Sequence, residues 1–245
     1  MRDTGKFLPL RFYEDEEIIS PNYGGCKGFD HREYFKSPTN VIPAFQVDRA
    51  VTAVTLMTCD EDIPLTLTFQ TDVIDGVTYV SHFSEIVESV PAGIHVIKLT
   101  TSSPLAYYSD PIIFYETESD DPIYITYRGE VGVLGDIYWP ANFLADAFVS
   151  AYIENPTYPI LEDVREDENL NQHRVFQRWE KRYQIRFFGV ESMADAMSLL
   201  PMMDEVYVNV FRAYNTIVNI NWEEDRECLA EIIITFSTKE IVKTF

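Results

Sequence analysis

The chain has 245 residues, of which 40 are acidic and 19 basic, so its formal net charge is −21. A surface of this charge excludes specific nucleic-acid binding as an expected function, because proteins neutralise the phosphate backbone with Lys and Arg. DNA could at most pass through a channel with such a lining. Hydrophobic residues make up 46% of the chain and aromatic residues 14%, which excludes a largely disordered protein.

The three cysteines, Cys26, Cys59 and Cys228, lie far apart in the sequence. They form no CxxC pair, so neither a zinc ribbon nor a redox dithiol is predicted. Buried free thiols are expected, with a single disulfide as the alternative. The N-terminal MRDTGKFLPLRFYEDEE lacks the apolar segment of a signal peptide, and no run of 18 apolar residues occurs. We therefore expect neither export by a signal of its own nor a membrane span.

Residues 1–43 come first in chain order and show little hydrophobic periodicity. Their turn-forming residues include Pro9, Pro21, Gly24, Gly25, Gly28, Pro38 and Pro43. This composition predicts an extended N-terminal arm with short strands at most, since irregular segments of this length are uncommon inside a compact domain. We expect the arm to wrap the body of the protein or to reach a neighbouring molecule.

From residue 44 to residue 119 the hydrophobic period becomes two, which is typical of half-buried strands. Five runs show it: AVTAVTLMT (50–58), LTLTFQT (65–71), GVTYVSHF (76–83), GIHVIKLTT (93–101) and DPIIFYETE (110–118). Stretches rich in turn-forming residues, such as VIDG and SVPAG, separate them. Short strands at this spacing predict a β-sandwich like an immunoglobulin or fibronectin module over residues 44–119.

The polar run TESDD predicts a domain boundary, after which residues 120–245 are expected to form a second β-rich, mainly antiparallel domain. Its predicted strands are PIYITYRG (122–129), 175–187, 206–211, 215–222, 228–236 and 239–244. The glycine-spaced GEVGVLGDIYW (129–139) matches neither GxGxxG nor GxxxxGK[ST], so it predicts a bulged strand and turn, and no phosphate loop. ANFLADAFVS (141–150) is a candidate for a short helix.

A short amphipathic helix is predicted near residues 192–200. Ser192 is placed to cap it, and Asp195, three residues further on, completes a capping-box pattern. Its apolar face consists of Met193, Ala196, Met197 and Leu200. Pro201 is expected to end the helix.

The acidic run before this unit partly follows the pattern of a calcium-binding loop. Asp167, Asn169 and Asn171 occupy its positions 1, 3 and 5. Position 6 is Gln172 where the loop needs glycine, and position 12 is Arg178 where it needs a bidentate glutamate. A solvated loop is therefore predicted, and no metal site is assigned.

Catalytic motifs are absent from the sequence. The four histidines are His31, His82, His95 and His173. None shares a short motif with a cysteine or a second histidine, neither GxSxG nor HExxH occurs, and His95 is interpreted as structural. Carboxylate pairs such as Glu14–Asp15 and Glu223–Glu224 could serve a hydrolase, but 40 acids produce such pairs by chance. We assign no catalytic, cofactor-binding or metal-ligating residue and expect no enzyme, with a hydrolase as the third hypothesis.

Aromatic side chains offer a route to a glycan- or receptor-binding function, because they stack on sugars and on proteins. Trp139, Trp179, Trp222 and the pair Tyr107–Tyr108 are the candidates. Trp179 and Trp222 are predicted to pack in the core. Tyr107–Tyr108 lies within the turn-rich TSSPLAYYSD, is harder to bury, and is the better candidate for an exposed platform.

Five motifs follow one another in order along nearly the whole chain. They are FLPLRFY (7–13), VIPAFQVDRA (41–50), AGIHVIKLTT with YYSDPIIFY (92–115), YPILEDVREDEN (158–169) and KRYQIRFFGVESMADAMSLLPMMDEV (181–206). In this order they resemble structural proteins of tailed bacteriophages of the crAss-like group and their relatives. The chain departs from the family's pattern at Met197, where Leu is usual, and in the acidic loop, which lacks the family's glycines.

The resemblance implies a virion component, a ring protein of the portal-to-tail (neck and tail) region that is made in the host cytoplasm. It implies a homo-oligomeric ring that contacts other phage tail and portal-vertex proteins, with no membrane and no catalytic residue. Identical subunits build rings through side-to-side contacts that close by rotation. The alternative function is a tail-tip glycan- or receptor-binding module.

Overall fold

The computed structural model describes residues 8–14, 35–58, 61–87, 90–102, 106–116, 122–134, 137–166, 172–222 and 229–243. For residues 35–36, 161–166, 172–180, 190, 229 and 239–243 it describes the backbone alone. These parts of the chain are mainly β-strand, and their strands pair antiparallel with one parallel exception. The mainly β fold predicted from the sequence is confirmed.

The strands of the first half are β1 (Phe12–Tyr13), β2 (Phe35–Pro38), β3 (Val41–Ile42), β4 (Phe45–Val47), β5 (Val51–Met57), β6 (Asp62–Leu65), β7 (Phe69–Ile74), β8 (Val77–His82), β9 (Glu85–Ile86), β10 (Gly93–Thr101), β11 (Ala106–Ser109) and β12 (Ile112–Tyr115). Those of the second half are β13 (Ile123–Arg128), β14 (Gly132–Leu134), β15 (Ile137–Trp139), β16 (Ala145–Val149), β17 (Tyr152–Ile153), β18 (Ile160–Glu166), β19 (Gln172–Val190), β20 (Glu205–Val208), β21 (Phe211–Trp222) and β22 (Leu229–Lys243). Helix α1 (Glu191–Ser198) is followed by a 3₁₀ turn (Leu200–Met202).

The first half of the chain contains two antiparallel sheets that are in contact with each other. One has the strand order β6–β5–β10–β11–β1, and the other has the order β4–β8–β7. Phe12 of the first sheet contacts Phe45 of the second, with ring centroids 4.6 Å apart. Leu56 and Ile97 of the first sheet and Val80 of the second belong to the same buried cluster.

The turn between β7 and β8 shows how the sequence sets the register of a hairpin. Asp75 and Gly76 have φ angles of 51° and 78°, the left-handed region that a two-residue type I′ turn requires. The turn places Ile74 opposite Val77 and carries that register along the pair. The stretch VIDG (73–76), predicted from its turn-forming residues to separate two strands, contains this turn.

Strand β2 joins the strands of the two halves. It pairs parallel with β12 on one side, with Ile112 opposite Phe35, and antiparallel with β16 on the other, with Phe148 opposite Lys36. β16 continues through β13 and β20 to β21. Residues 35–38, predicted within the arm, therefore form a strand in the sheet that connects both halves.

The longest strands lie in the second half. β19 has 19 residues and is therefore about 60 Å long. It pairs with β18 along its first part and with β22 from Gln177 to Val190. β22, a single strand of 15 residues, replaces the two strands predicted at 228–236 and 239–244. The sheet thus continues from β19 through β22 to β21.

Helix α1 follows β19 directly and packs on the β19–β22 face. Met193, Ala196 and Met197 are buried there, which confirms the predicted apolar face of the helix. Gly189 allows the close approach, because a Cβ at this position would lie 2.9 Å from Ile232 Cδ1 and 3.0 Å from Met193 Cγ. A strand glycine often marks such a close approach.

We expect Gly189→Val to lower the free energy of unfolding by roughly 1–3 kcal/mol, because its methyl groups overfill the contact between helix and sheet. Gly189→Ala should lower it less, since Ile232 and Met193 need to move only a few tenths of an ångström. Urea unfolding followed by circular dichroism measures both. A valine variant as stable as the parent protein would contradict this description of the contact.

Two local predictions about helices are wrong. The segment 141–150 contains strand β16, because Ala145–Val149 is an inner strand between β2 and β13, and a short apolar run does not distinguish a helix from a buried strand. Ser192 does not cap α1. The strand β19 runs to Val190, so the helix begins at Glu191 and Ser192 is its buried second residue.

The glycine-spaced segment forms the antiparallel pair β14–β15, where a bulged strand and turn were predicted.

The buried residues form a continuous core that includes Leu8, Leu56, Tyr127, Trp139 and Phe236. It therefore extends from the first described residues to β22. Within the described ranges, no helix is long and apolar enough to cross a membrane. The predicted domain boundary near residue 120 stays a prediction.

Candidate interaction surfaces

The described N-terminal segment, Leu8–Glu14, lies on the body of its own chain. Leu8 and Leu10 are 0% and 1% exposed, so both side chains belong to the core. Strand β1 pairs with β11, with Phe12 opposite Ser109 and Tyr13 opposite Tyr108. Burial and strand pairing together hold residues 8–14 on the body of the protein.

Arg11 fastens the segment to the second half of the chain. Its Nη2 lies 2.6 Å from Asp195 Oδ2 on helix α1, and its carbonyl oxygen accepts a hydrogen bond of 3.0 Å from the backbone N–H of Asp110. Burial raises the pKa of Asp110 to about 6, although the nearby Arg11 guanidinium favours the ionised form. Burial and the Asp110 carboxylate raise the pKa of Tyr13 to about 12. The segment therefore carries a partly buried charged cluster.

The prediction that Tyr107 and Tyr108 form an exposed platform is wrong. Their side chains are 6% and 5% exposed, because β11 lies between β1 and β10. The Tyr107 hydroxyl donates to Asp48 Oδ1 at 2.8 Å, and burial and this bond raise the Tyr107 pKa. Arg49 lies over the Tyr107 ring at 5.9 Å. These tyrosines stabilise the sheet and offer no open stacking surface.

Trp222 differs from the prediction in the other direction, whereas Trp139, a candidate for an exposed aromatic residue, is buried. Trp222, predicted to be in the core, is 52% exposed at the end of β21. Trp139 is 1% exposed and contacts Phe143 and Tyr127 in the core. The side chain of Trp179 lies outside the described part of the structure. Trp222 is therefore the one predicted stacking candidate that the described side chains place at the surface.

The two histidines with described side chains lie in structural environments. His82 is fully buried, its Nδ1 lies 3.0 Å from the carbonyl oxygen of Thr68, and burial lowers its pKa to about 4. His95 Nε2 lies 2.9 Å from the carbonyl oxygen of Pro91, and burial lowers its pKa as well. Among the described residues no group of three or more His, Cys, Asp or Glu could hold a metal ion.

Several candidates from the sequence lie outside the described residues or side chains. They are Cys26, Cys59, Cys228, His31, the side chains of His173, Gln172 and Arg178, the calcium-like Asp167, Asn169 and Asn171, and Asp15, Glu223 and Glu224. Glu14 is described, and its carboxylate lies 3.3 Å from Arg49 Nη2. The Tyr107 hydroxyl also donates a hydrogen bond of 3.2 Å to the Glu14 carboxylate.

Strand β21 and the residue before it, Val210, carry several exposed large apolar side chains. Val210, Phe211, Tyr214, Ile217 and Trp222 are 85%, 53%, 44%, 45% and 52% exposed. Single exposed apolar residues are normal on a protein surface, whereas a row of them along one strand is typical of an interaction site. Sequence analysis predicted a strand at 215–222 and placed Trp222 in the core, so it did not identify this surface.

Residues 217–222 of β21 pair with β22 along one side, and helix α1 and the 3₁₀ turn also contact β21. β20 pairs with β21 only at Phe211, Arg212 and Ala213, while β22 pairs along the other side as far as Trp222. No described strand pairs with the other side of residues 217–222.

The part of the chain that includes β21 is unusual for this acidic protein because it lacks acidic residues. Residues 206–222, VYVNVFRAYNTIVNINW, contain no acid and one base, although 40 of the 245 residues are acidic. The nearest described acid on the same sheet face, Glu231, accepts a hydrogen bond from Asn221 at 3.1 Å and lies 3.2 Å from Arg186 Nη1. This acid-free stretch was the sequence signal that could have identified the surface.

The resemblance to phage structural proteins has no support beyond the motifs themselves. Comparisons with protein-family models, with curated proteins and with solved structures find no match to this chain. The features of the molecule that bear on function are therefore its fold, its anchored N-terminal segment and the exposed apolar side chains of β21.

Proposed function

We propose that this chain is a non-enzymatic structural protein of a tailed-phage virion and a subunit of an oligomeric ring in the portal-to-tail region. The observation that carries the proposal is the ordered set of five motifs, which runs from FLPLRFY to the unit that ends at residue 206. The mainly β fold and the exposed apolar strand β21 support it, because a subunit of an assembly needs surface for its neighbours.

The proposal includes an immunoglobulin-like sandwich in the first half. The two sheets β6–β5–β10–β11–β1 and β4–β8–β7, with the Phe12–Phe45 contact between them, support this architecture. Aligned packing of two antiparallel sheets over a shared core is the defining feature of such modules.

The proposal also includes an N-terminal arm, with the described parts as its anchors. Leu8–Glu14 is held by core burial and by the Arg11–Asp195 ion pair, and Phe35–Pro38 is held as strand β2. We propose that the arm reaches a neighbouring subunit between these anchors. Contacts of this kind enlarge an interface without a second core.

The net charge of −21 supports a conduit role for the ring. DNA that moves through a channel must not be retained, and acidic walls repel the phosphate backbone at all positions along it.

Mass photometry and negative-stain electron microscopy of the pure protein, alone and with the virion proteins encoded beside it, test the proposed function. We expect closed rings of more than two copies with one dominant stoichiometry, because heterologous contacts that close by rotation give a defined number of subunits. A protein that stays monomeric and binds none of the virion proteins would contradict the proposal.

The alternative, a tail-tip glycan- or receptor-binding module, loses its predicted platform because Tyr107 and Tyr108 are buried. Trp222 is the exposed aromatic residue that favours it now. A glycan array with the parent protein and the Trp222→Ala variant tests this alternative. Binding that depends on Trp222 would favour it over the ring.

A further inference from the structure

We propose that the segment Leu8–Glu14 is a proton-sensitive strap, which Asp110 holds on the body of the protein most tightly in acid and more weakly near neutral pH. The strap connects the two halves of the chain, because β1 pairs with β11 of the first half and Arg11 lies 2.6 Å from Asp195 of helix α1. The proposal concerns this segment alone, so it stands whether or not the chain forms a ring.

Among the described residues, the backbone of the strap makes few bonds to the body. Strand β1 (Phe12–Tyr13) pairs with β11 over two residues, and the N–H of Asp110 donates a hydrogen bond of 3.0 Å to the carbonyl oxygen of Arg11. The Glu14 carboxylate adds an ion pair with Arg49 at 3.3 Å. A short edge element of this kind opens locally at a lower free energy than the whole protein unfolds.

Leu8 and Leu10 hold the strap by burial, since their side chains are at most 1% exposed. The burial of apolar surface involves no proton, so these leucines set how rarely the strap opens at every pH. A pH dependence must come from a group whose tendency to ionise differs between the docked and the open strap.

Asp110 is such a group. Its Oδ2 atom is buried and has no hydrogen-bond partner among the described residues, while Arg11 and Tyr13 of the strap act on its carboxyl group. A buried carboxyl that lacks partners is disfavoured in its ionised form. Lifting the strap removes both neighbours and admits water, so the open state favours the ionised form.

The titratable groups on the other neighbouring elements have partners of their own. Asp195 of α1 pairs with the guanidinium of the strap, Lys98 of β10 lies over the Tyr108 ring at 5.4 Å, and His95 of β10 bonds to the carbonyl oxygen of Pro91 at 2.9 Å. The described groups that face the buried carboxyl are therefore the guanidinium and the phenol of the strap. Neither changes its charge between pH 4 and pH 7.5, because a guanidinium stays protonated and the pKa of this phenol, that of Tyr13, is raised to about 12.

The direction of the effect follows from the pKa of Asp110 in the two states. In the docked state burial raises it from 3.8 to about 6, against the opposing effects of the Arg11 guanidinium and the Tyr13 hydroxyl. In the open state the carboxyl lies in water, and its pKa returns toward 3.8. Docking is therefore favoured most below pH 4, weakens as the pH rises to about 6, and changes no further with Asp110 above that.

Amide hydrogen exchange of the full chain, followed by NMR spectroscopy, tests the proposal at one bond. The Asp110 N–H exchanges when its bond to Arg11 breaks, so its protection reports the opening of the strap. After correction for the intrinsic exchange rate at each pH, we expect this protection to fall about tenfold between pH 5 and pH 7.5. Asp110→Asn removes the charge and should abolish the fall, whereas Asp62→Asn, at an exposed position of β6, should leave it unchanged.

A ¹³C titration of the Asp110 carboxyl in the parent protein is a second measurement, which does not depend on the folding of a variant. We expect a midpoint at about 6, and a midpoint near 3.8 would overturn the proposal. Two results of the exchange experiment would also overturn it. One is a protection of the Asp110 N–H that stays constant between pH 5 and pH 7.5. The other is a protection equal to that of the β10 amides at both pH values, because the strap would then open only with the whole protein.

Discussion

Replacing Leu8 and Leu10 together with alanine should lower the free energy of unfolding by roughly 4–8 kcal/mol. Each buried Leu→Ala change costs about 2–5 kcal/mol, through lost apolar burial and the cavity that remains. Both side chains are at most 1% exposed, and β1 holds the segment against β11, so the site has little freedom to collapse. Denaturant unfolding followed by fluorescence and by circular dichroism measures the change.

The matched control is Val73→Ala, because Val73 is 64% exposed and its truncation should change stability little. A double leucine variant as stable as this control would show that the N-terminal segment does not belong to the core. In that case its only role would be in contacts with other molecules. The measurement therefore separates an anchoring role of residues 8–14 from an assembly role.

Asp146 should make the protein less stable as the pH rises from 4 to 7, whereas buried His82, whose pKa is lowered to about 4, should act in the opposite direction over this range. Asp146 is 1% exposed on β16, and its Oδ1 accepts a hydrogen bond of 2.8 Å from the backbone N–H of Ala44. Burial raises its pKa from 3.8 to about 6. The buried phenols of Tyr124 and Tyr127 lie near it, and their pKa values are raised by burial and by its charge.

The direction of this pH dependence follows from the difference between the pKa of Asp146 in the folded state and its pKa in the unfolded state. A carboxyl whose pKa is higher in the folded state binds its proton more tightly there, so folding is favoured below pH 4 and loses this contribution as the pH rises to about 6. A shift of about two units corresponds to roughly 3 kcal/mol. Asp110, whose pKa is also raised to about 6 by burial, acts in the same direction.

Asp146→Asn keeps the oxygen that accepts from Ala44 and removes the charge, so it should stabilise the protein at pH 7.5 by roughly 3 kcal/mol and leave it unchanged near pH 4. Urea unfolding at both pH values measures the difference. The control is Asp62→Asn, at an exposed position of β6. If Asp146→Asn is destabilising at pH 7.5, the ionised carboxylate is better solvated than the structure indicates.

The sequence predicts the strands well where one face is buried and the turns are explicit. The predicted strand 93–101 coincides with β10, because its apolar residues alternate and a proline-containing turn precedes it. The hairpin at Asp75–Gly76 is predictable because Asp-Gly is one of the few residue pairs that adopt the two positive φ angles of a type I′ turn easily. The helix near 192–200 was predicted from its apolar face. Its first residue was not predicted, because it depends on where strand β19 ends.

Other features depend on contacts that no local pattern contains. Strand β2 lies between β12 and β16, more than 70 residues away along the chain, and its own short sequence gives no sign of this. Tyr107 is buried on β11, which pairs with β1 on one side and with β10 on the other, and Trp222 is exposed at the end of β21. An edge strand and an inner strand can share the same alternation, so the exposure of the β21 side chains becomes visible only with the sheet order.

The central claim is that this chain is a ring subunit of a tailed-phage particle. Cryo-electron microscopy of purified particles whose genome encodes the chain tests it most directly. We predict several copies arranged with rotational symmetry around the tail axis, between the portal and the tail. Particles that lack this polypeptide, or that carry it at sites without rotational symmetry, would contradict the claim.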